Sequence, residues 1–228
     1  MCLLGGVLFG TAHSFAGGRD IRPRNVELSA LIAEAQARVS AAGASAQQLQ
    51  RQIDDAAGID VSPQVSEVRD NATALEAPVG LTALTGAGVA VTMTDAPRDA
   101  AGNYPEGVNP DDLVVHQQDV QSVVNALWAG GAEAMMIMDQ RVVGTSAVRC
   151  IGNTLLLQGR AYSPPFLIRA IGPAPAMIAA IEAEPGVTLF RQYVDRFDLG
   201  FDIETVDTVA VPAYDGLVRM TAAQEIPR

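Results

Sequence analysis

The sequence predicts an α+β protein, with a mostly antiparallel sheet and helices on one face, preceded by a long N-terminal helix of the coiled-coil type. Three observations predict this class. Apolar residues recur with unbroken 4-3 spacing over residues 28–56. A strand pattern at 88–94 leads to a helix pattern with legible ends near 109–131. Short apolar segments separated by turn residues fill most of 132–171, as in an α+β domain.

The composition indicates a folded protein and argues against nucleic acid as a partner. Hydrophobic residues make up 49% of the chain and charged residues 18%, which is enough apolar material for a core. The formal net charge is −11, and all 15 basic residues are arginines. Proteins bind nucleic acid largely by neutralising phosphates, so this acidic chain is not expected to do so.

The cysteines and histidines predict neither a disulfide nor a cofactor. Cys2 lies in the uncharged N-terminal stretch and Cys150 in the predicted folded domain, so the two are not expected to pair. His13 and His116 are too few for a histidine-rich metal centre. The sequence therefore predicts a domain held together by its core, with no metal and no cofactor.

Residues 1–18 carry no charge and are predicted to form a membrane segment. A span needs roughly 20 apolar residues with a lower limit near 17, so the natural start of such a helix would lie upstream of Met1. The alternative is a buried or fraying apolar N-terminus. Arg19, Arg22 and Arg24 follow the segment and, taken alone, would place what comes next in the cytoplasm.

Residues 24–76 are predicted to form a helical stalk of the coiled-coil type. The apolar a and d positions of the repeat, which form its seam, continue through nine positions without a break. Four of the nine are Ala, and Gly43 lies in the helix interior, where it weakens the helix. Pro23 precedes the repeat and Gly58 ends it, and a shorter apolar pattern follows Pro63. The alternative is a single amphipathic helix lying on the folded domain. The large side chains of the predicted oligomerisation seam are Leu28, Ile32, Val39, Leu49 and Ile53.

Residues 79–228 are predicted to form the α+β domain. Apolar alternation or short apolar runs predict its strands. Gly152-Asn153 and Gln158-Gly159 are turn signals between them. Pro173 is expected to open a helix, and a short helix is expected near 188–197. The predicted strands are 88–94, 132–138, 141–143, 146–151, 154–157, 166–171 and 201–211.

The long helix of this domain is predicted from its ends. Asn109 suits the N-cap, Pro110 the first helical position, and Asp111 with Asp112 the N-terminal dipole. Gly130-Gly131 is expected to supply the left-handed C-terminal cap. This capping role explains the two aspartates without a metal site.

The common catalytic motifs are missing from the sequence. It contains neither a phosphate-binding P-loop nor a dinucleotide glycine fingerprint, and it lacks His-Glu-x-x-His, Cys-x-x-Cys and a Gly-x-Ser-x-Gly elbow. A catalytic triad inside the domain would have to use His116, which has no partner motif. The sequence therefore predicts a protein that is not an enzyme.

Charged and amide residues near the long helix and the following strands suggest one polar network. Charged side chains in apolar strands are uncommon and usually hydrogen-bonded. The hypothesis is that the four residues fix the helix against the sheet, and the rival is a groove for an anionic ligand. The four are Asp119, Asn125, Arg141 and Arg149.

The segment from Asn109 to Gly172 resembles the YlxW/YlxX-like family, the bacterial domain of unknown function 881. The strings that carry the resemblance include Asn109-Pro-Asp-Asp-Leu113, Val120-Gln-Ser-Val-Val-Asn-Ala-Leu-Trp128, Thr145-Ser-Ala-Val-Arg-Cys150 and Ser163-Pro-Pro-Phe166. The resemblance implies a bacterial single-pass protein with a coiled-coil stretch and an extracytoplasmic domain, often encoded near cell-division or envelope genes. It assigns no catalytic residue.

Together these observations predict a non-catalytic scaffold or interaction module of the bacterial cell envelope, acting in division or wall assembly. It would be held in the plasma membrane by the N-terminal helix, with the domain outside the cytoplasm, and would bind a protein partner or itself through the stalk. The alternative is an envelope sensor that binds a small ligand in a groove edged by Arg141 and Arg149.

Overall fold

The structure is a computed structural model that describes residues 23–57, 63–100, 102–105, 107–151 and 154–216. The predicted membrane segment, residues 1–18, lies outside these ranges. Within the described residues, none of the helices combines the length and the apolar character needed to cross a bilayer. The hairpin turn predicted at Gly152-Asn153 also lies outside the described residues.

Two helices precede the folded domain, as predicted. Helix α1 spans Pro23–Ala57 and α2 spans Pro63–Glu76. Helix α1 ends at the residue before Gly58, where the sequence pattern ends. The coiled-coil pairing of this segment stays a prediction.

The domain contains a five-stranded and a three-stranded sheet, both antiparallel throughout the described pairs. The first has the strand order β3-β2-β7-β1-β8 and the second β4-β5-β6. The strands are β1 Leu84–Thr94, β2 Ala134–Ile137, β3 Gln140–Val142, β4 Val148–Ile151, β5 Thr154–Leu157, β6 Arg160–Tyr162, β7 Phe166–Ile171 and β8 Gly200–Val211. The helices are α3 Gln117–Ala129, α4 Ala174–Ala183 and α5 Pro185–Phe197.

The large sheet is built from two interleaved β-α-β units. Strands β1 and β2 run parallel because β7 lies between them and is antiparallel to both, and α3 connects them. In the same way β7 and β8 run parallel to each other, because β1 lies between them and is antiparallel to both. Helices α4 and α5 connect β7 to β8. This is the split β-α-β arrangement of ferredoxin-like folds, with β3 and the small sheet inserted between the second and third strands.

The three α-helices described in the domain pack on one face of the large sheet, which confirms the predicted α+β class. The core there joins Val91 and Ile168 of the sheet to Val123 of α3, Met177 of α4 and Phe190 of α5. The opposite face has a second, smaller apolar cluster. Its buried members are Ala134, Met136, Ile171, Val209 and Val211.

The predicted start of the long domain helix was wrong. Asn109 does accept a hydrogen bond from the amide of Asp111, but the helix it caps is a short 3-10 helix, Pro110–Leu113. Helix α3 begins separately at Gln117, where the Asp119 carboxylate accepts a hydrogen bond from the His116 amide at 2.8 Å. The predicted glycine cap is confirmed, since Gly131 has a φ of +90°.

Strand β6 was not predicted. The sequence indicated a turn at Gln158-Gly159, and both residues have positive φ, as a tight hairpin of this kind requires. The strand that follows is only three residues long, and a run this short gives no detectable alternation.

Candidate functional site

The seam residues of α1 are largely exposed within the single chain. Ile32 and Val39 retain 45% of their accessible surface, Leu49 58% and Ile53 60%. The side chain of Leu28 lies outside the described set. Large apolar side chains repeated along one face of a helix and left in water are the usual mark of an interaction surface. The seam is therefore the strongest candidate for a functional surface.

The structure does not bring the four residues of the hypothesised polar network together. The Asp119 carboxylate accepts a hydrogen bond from the backbone at the start of α3. On the exposed side of that helix, the side-chain oxygen of Asn125 accepts a hydrogen bond from the side-chain amide of Gln121 at 2.8 Å. Arg149 is exposed on β4. Arg141 alone is buried, and its partners lie elsewhere.

Arg141 joins the two ends of the domain. It pairs with Met136 across the hairpin of β2 and β3, so its side chain lies on the sheet face opposite the helices. Its Nη1 donates to the carbonyl oxygen of Thr82 at 3.1 Å and to that of Pro212 at 3.0 Å. The first carbonyl lies just before β1 and the second just after β8. The Tyr214 amide donates to the Gly80 carbonyl beside them.

Within the described residues, the hydrogen bonds of the Arg141 guanidinium go to main-chain carbonyls and none goes to a carboxylate. The residue is 4% exposed, and its Nε is a buried donor with no hydrogen-bond acceptor in the described part of the chain. Burial lowers the pKa of this group. Because its acceptors are main-chain carbonyls, Arg141 has a structural role at the junction of the domain ends.

Two carboxylates hold the start of α3 in place. Asp95, directly after β1, accepts from the Val115 amide at 2.9 Å and from the Tyr104 hydroxyl at 3.4 Å. Asp119 accepts from the His116 amide, and His116 Nδ1 lies 3.7 Å from the same carboxylate. Burial raises the pKa of both aspartates, more than their hydrogen bonds and nearby positive charges lower it.

A cleft of about 210 Å³ lies between this region and α5. One wall carries Asp111, Asp112 and Asp119, and the other carries Phe190 and Tyr193. The polar side chains of the first wall are mainly acidic. The cleft therefore suits an organic cation as its ligand, rather than the anionic ligand considered from the sequence. Neither Arg141 nor Arg149 lines either of the two clefts described.

The carboxylate of Asp139 joins the two sheets. Asp139, in the turn between β2 and β3, accepts from Arg160 Nη1 at 2.9 Å and from the Tyr162 hydroxyl. Burial and the bond to Asp139 raise the pKa of Tyr162 to about 12. Burial alone would raise the pKa of Asp139, but hydrogen bonds, first from Tyr162, and the charge of Arg160 lower it overall. The contacts fix the small sheet against the large one.

The sequence analysis missed these groups for different reasons. Asp95 stands directly after a strand, a signal that could have drawn attention to it. Asp139 and Tyr162 are 23 residues apart and meet only because β6 folds back toward the β2–β3 turn. In the part of the chain that the structure describes, no group of three or more His, Cys, Asp or Glu side chains is arranged to hold a metal ion.

The matched family model covers residues 71–224 and is described as "Bacterial protein of unknown function (DUF881)". The chain belongs to the DUF881 family. The resemblance seen in the sequence is thereby confirmed, and the family's residues include the whole α+β domain from β1 to β8.

The curated relatives of this DUF881 chain are UPF0749 proteins. It is 30% identical over 130 residues to Rv1823 of Mycobacterium tuberculosis, covering 56% of this chain and 42% of that protein. It is 30% identical over 109 residues to YlxW of Bacillus subtilis, covering 48% of this chain and 45% of that protein. The chain thus spans less than half the length of these relatives.

A solved structure resembles the DUF881 chain in fold and sequence. It is the crystal structure of an uncharacterized conserved protein from Mycobacterium tuberculosis. The TM-score is 0.51 and the identity 28%, and the match covers 68% of this chain and 99% of the other.

Proposed function

We propose that the chain is a non-catalytic scaffold or interaction module of the bacterial cell envelope, membrane-anchored with its α+β domain outside the cytoplasm. Division and wall assembly are the processes it would serve, as the family resemblance implies. The observation that carries the proposal is the apolar seam of α1, in which Ile32, Val39, Leu49 and Ile53 remain 45–60% exposed among the described residues. Such a face is stabilised when a partner removes it from water.

The surroundings of the polar groups support a non-catalytic role. His116 and Asp119 form the start of α3, Arg141 binds main-chain carbonyls, and Asp139 joins the two sheets. Each of these groups has a structural task in the fold. His116 and Asp119 do line the cleft beside α5, but the described residues that line it include no Ser, Thr, Cys or Lys side chain that could serve as a nucleophile beside them.

The test is site-specific photo-crosslinking in living cells of the native host. A photoreactive residue at position 53 lies on the seam, while one at Arg51 lies on the opposite side of the same helix. We expect a crosslinked adduct, of any mass above that of the single chain, from position 53 and little from position 51. If both positions give only the uncrosslinked chain, the seam has no partner in the cell and the scaffold proposal fails.

A small-ligand sensor is the second candidate function. The acidic and aromatic cleft between α5 and the start of α3 favours it, with a volume suited to a small cationic group. Thermal unfolding with guanidinium and alkylammonium compounds tests this role. A rise in melting temperature that is lost in Asp112→Asn would favour the sensor, and an unchanged melting temperature for all compounds would exclude this cleft as its site.

A further inference from the structure

We propose that the seam of α1 pairs with the same seam of a second copy, forming a parallel, in-register, two-stranded coiled coil. This inference rests on the proposed function and names the partner of its interaction surface. It follows from which residue types occupy the two kinds of seam position and from the charges that flank them.

The residue types at the seam match those of parallel dimers. The 4-3 spacing places Ile32, Val39 and Ile53 at a positions, together with Ala46. It places Leu28 and Leu49 at d positions, together with Ala35, Ala42 and Ala56. β-Branched residues at a with Leu at d favour two parallel strands, whereas Ile at both or Leu at a with Ile at d favours higher oligomers.

The heptad before Ile32 places Asn25, which lies within α1, at an a position too. A single Asn among apolar a residues is a device that fixes register and restricts a coiled coil to two strands. It stabilises the pair less than an apolar residue would. We therefore explain Asn25 by its effect on register: it favours one alignment of two identical helices, although an apolar residue would pack better at this position.

The flanking positions permit pairing between identical chains. Within α1, the only charged residues at e and g are Arg24 and Arg38, both at g. In a parallel pair each faces the e position five residues further along the second copy, which is Ser29 or Gly43. No like charges meet, and Arg38 is already paired with Glu34 of its own helix at 2.7 Å.

These flanks also argue against a dedicated heterologous partner. Selective pairing of two different chains is usually set by complementary charges at e and g. Here those positions are mostly uncharged, with Gln36, Gln50 and Gln52 among them. The acidic residues of α1 lie at b and c instead, away from the seam. A second copy is thus the partner that the pattern of charges favours.

The experiment is disulfide trapping in the purified full chain, with Cys2→Ser and Cys150→Ser as background. Equivalent d positions face each other in a parallel in-register pair, so Leu49→Cys alone should form a linked dimer on mild oxidation. Arg51→Cys, at the outward f position, is the control. We expect about tenfold more linked dimer from Leu49→Cys, since association holds its thiols at a high effective concentration.

A mixed sample distinguishes the orientations. In an antiparallel pair centred between Ala42 and Ala46, a positions face d positions and position 49 would face position 39. Val39→Cys mixed with Leu49→Cys would then link, while Leu49→Cys alone would not. That result overturns the parallel arrangement. Equal, low linkage from Leu49→Cys and Arg51→Cys, with none in the mixed sample either, overturns the homodimer altogether. If the in-cell adduct at position 53 is nevertheless found, the scaffold proposal stands with a different partner.

Discussion

The guanidinium of Arg141 is held by main-chain carbonyls from two segments that are 59 and 71 residues away in sequence. Replacing it by Ala would leave those two acceptors without their donor and remove a buried side chain. Hydrogen bonds from charged groups are worth about 1.5–3 kcal/mol each, so we expect Arg141→Ala to lower the free energy of unfolding by about 2–4 kcal/mol.

Arg149→Ala is the matched control for this prediction. That arginine is exposed on β4, and surface substitutions usually change stability by less than about 0.5 kcal/mol. Urea unfolding of the two variants measures the difference. Equal losses would show that the carbonyl contacts of Arg141 do not stabilise the domain.

Gly88 lies where β1 passes β7 too closely for any side chain. A Cβ there would stand 1.8 Å from the carbonyl oxygen of Ala170, and main chain cannot move aside cheaply. We expect Gly88→Ala to disrupt the pairing of β1 with β7 and to reduce the yield of folded protein severely. Gly144→Ala should leave the melting temperature nearly unchanged, because a Cβ there would meet no other atom within 4 Å. Similar melting curves for both would contradict the geometry of the sheet.

The raised pKa of Asp119 has a consequence for stability. Because the pKa is higher in the folded state than in the unfolded state, the folded state takes up the proton first as the pH falls. This carboxyl therefore favours folding at low pH, and its contribution is lost as the pH rises through the folded pKa. We expect Asp119→Asn to flatten the dependence of the unfolding free energy on pH as the pH rises from the ordinary titration range of an aspartate through the raised pKa of the folded state.

Asp202→Asn, on an exposed position of β8, removes the same charge and serves as the control for Asp119→Asn. The comparison is urea unfolding at a series of pH values for both variants and the unchanged chain. A slope for Asp119→Asn no different from that of Asp202→Asn would show that Asp119 does not contribute to the pH dependence.

Among single residues, the sequence could indicate Arg141 but not its partners. A charged residue within an apolar strand stands out in any sequence. Whether it meets a carboxylate, a ligand or a carbonyl depends on which segments the fold brings beside it. Arg149 stood out for the same reason, but it is exposed on β4. Asp119 and Asn125 were chosen as polar residues of the neighbouring helix, where Asp119 bonds the backbone at the start of α3 and Asn125 lies on the exposed side.

Helix α1 contains a weakness that can be tested at the scale of the element. Gly43 lies in the helix interior, where Gly costs about 1 kcal/mol relative to Ala, and a Cβ there would meet no described atom within 4 Å apart from its own stretch of helix backbone. We expect Gly43→Ala to increase the helical signal in circular dichroism and to raise the temperature at which the helical segment melts. A lower melting temperature would mean that this position is packed closely against a partner.

Elements with strong periodicity were predicted well, and elements defined by their ends were not. The 4-3 repeat over residues 28–56 predicted the end of α1 to within one residue, and the helix begins five residues before the repeat, at Pro23. The long domain helix was started seven residues too early, because Asn109, Pro110 and Asp111 are strong start signals that here belong to a 3-10 helix. The true cap, His116, is not a favoured N-cap type, and its support comes from the Asp119 carboxylate.

The topology of the whole domain could not be read from the order of its elements. Local patterns indicated strands and helices, and short connections suggested neighbours in space. The insertion of β7 between β1 and β2 depends on residues about thirty or more positions apart, consistent with pairing decided by the assembled core. The helices on one face followed from their apolar stripes, and so did the fold class.

At the scale of the molecule, we expect the C-terminus to lie outside the cytoplasm. A reporter fused after Arg228, of a type active on only one side of the membrane, measures this in the native host. Activity on the outside agrees with an anchored envelope protein. Activity on the inside would follow the charge rule for Arg19, Arg22 and Arg24 and would direct the search to cytoplasmic partners.

The hydrogen bond between Tyr214 and Gly80 implies that the α+β domain can be circularly permuted. Its incoming and outgoing chains meet at one point, so a short linker could close them and new termini could be opened at the exposed turn of Gly144 and Thr145. Such a rearranged domain would keep both β-α-β units and the core between them. It would also separate the domain from the helical segment, so that each could be studied or attached to another protein on its own.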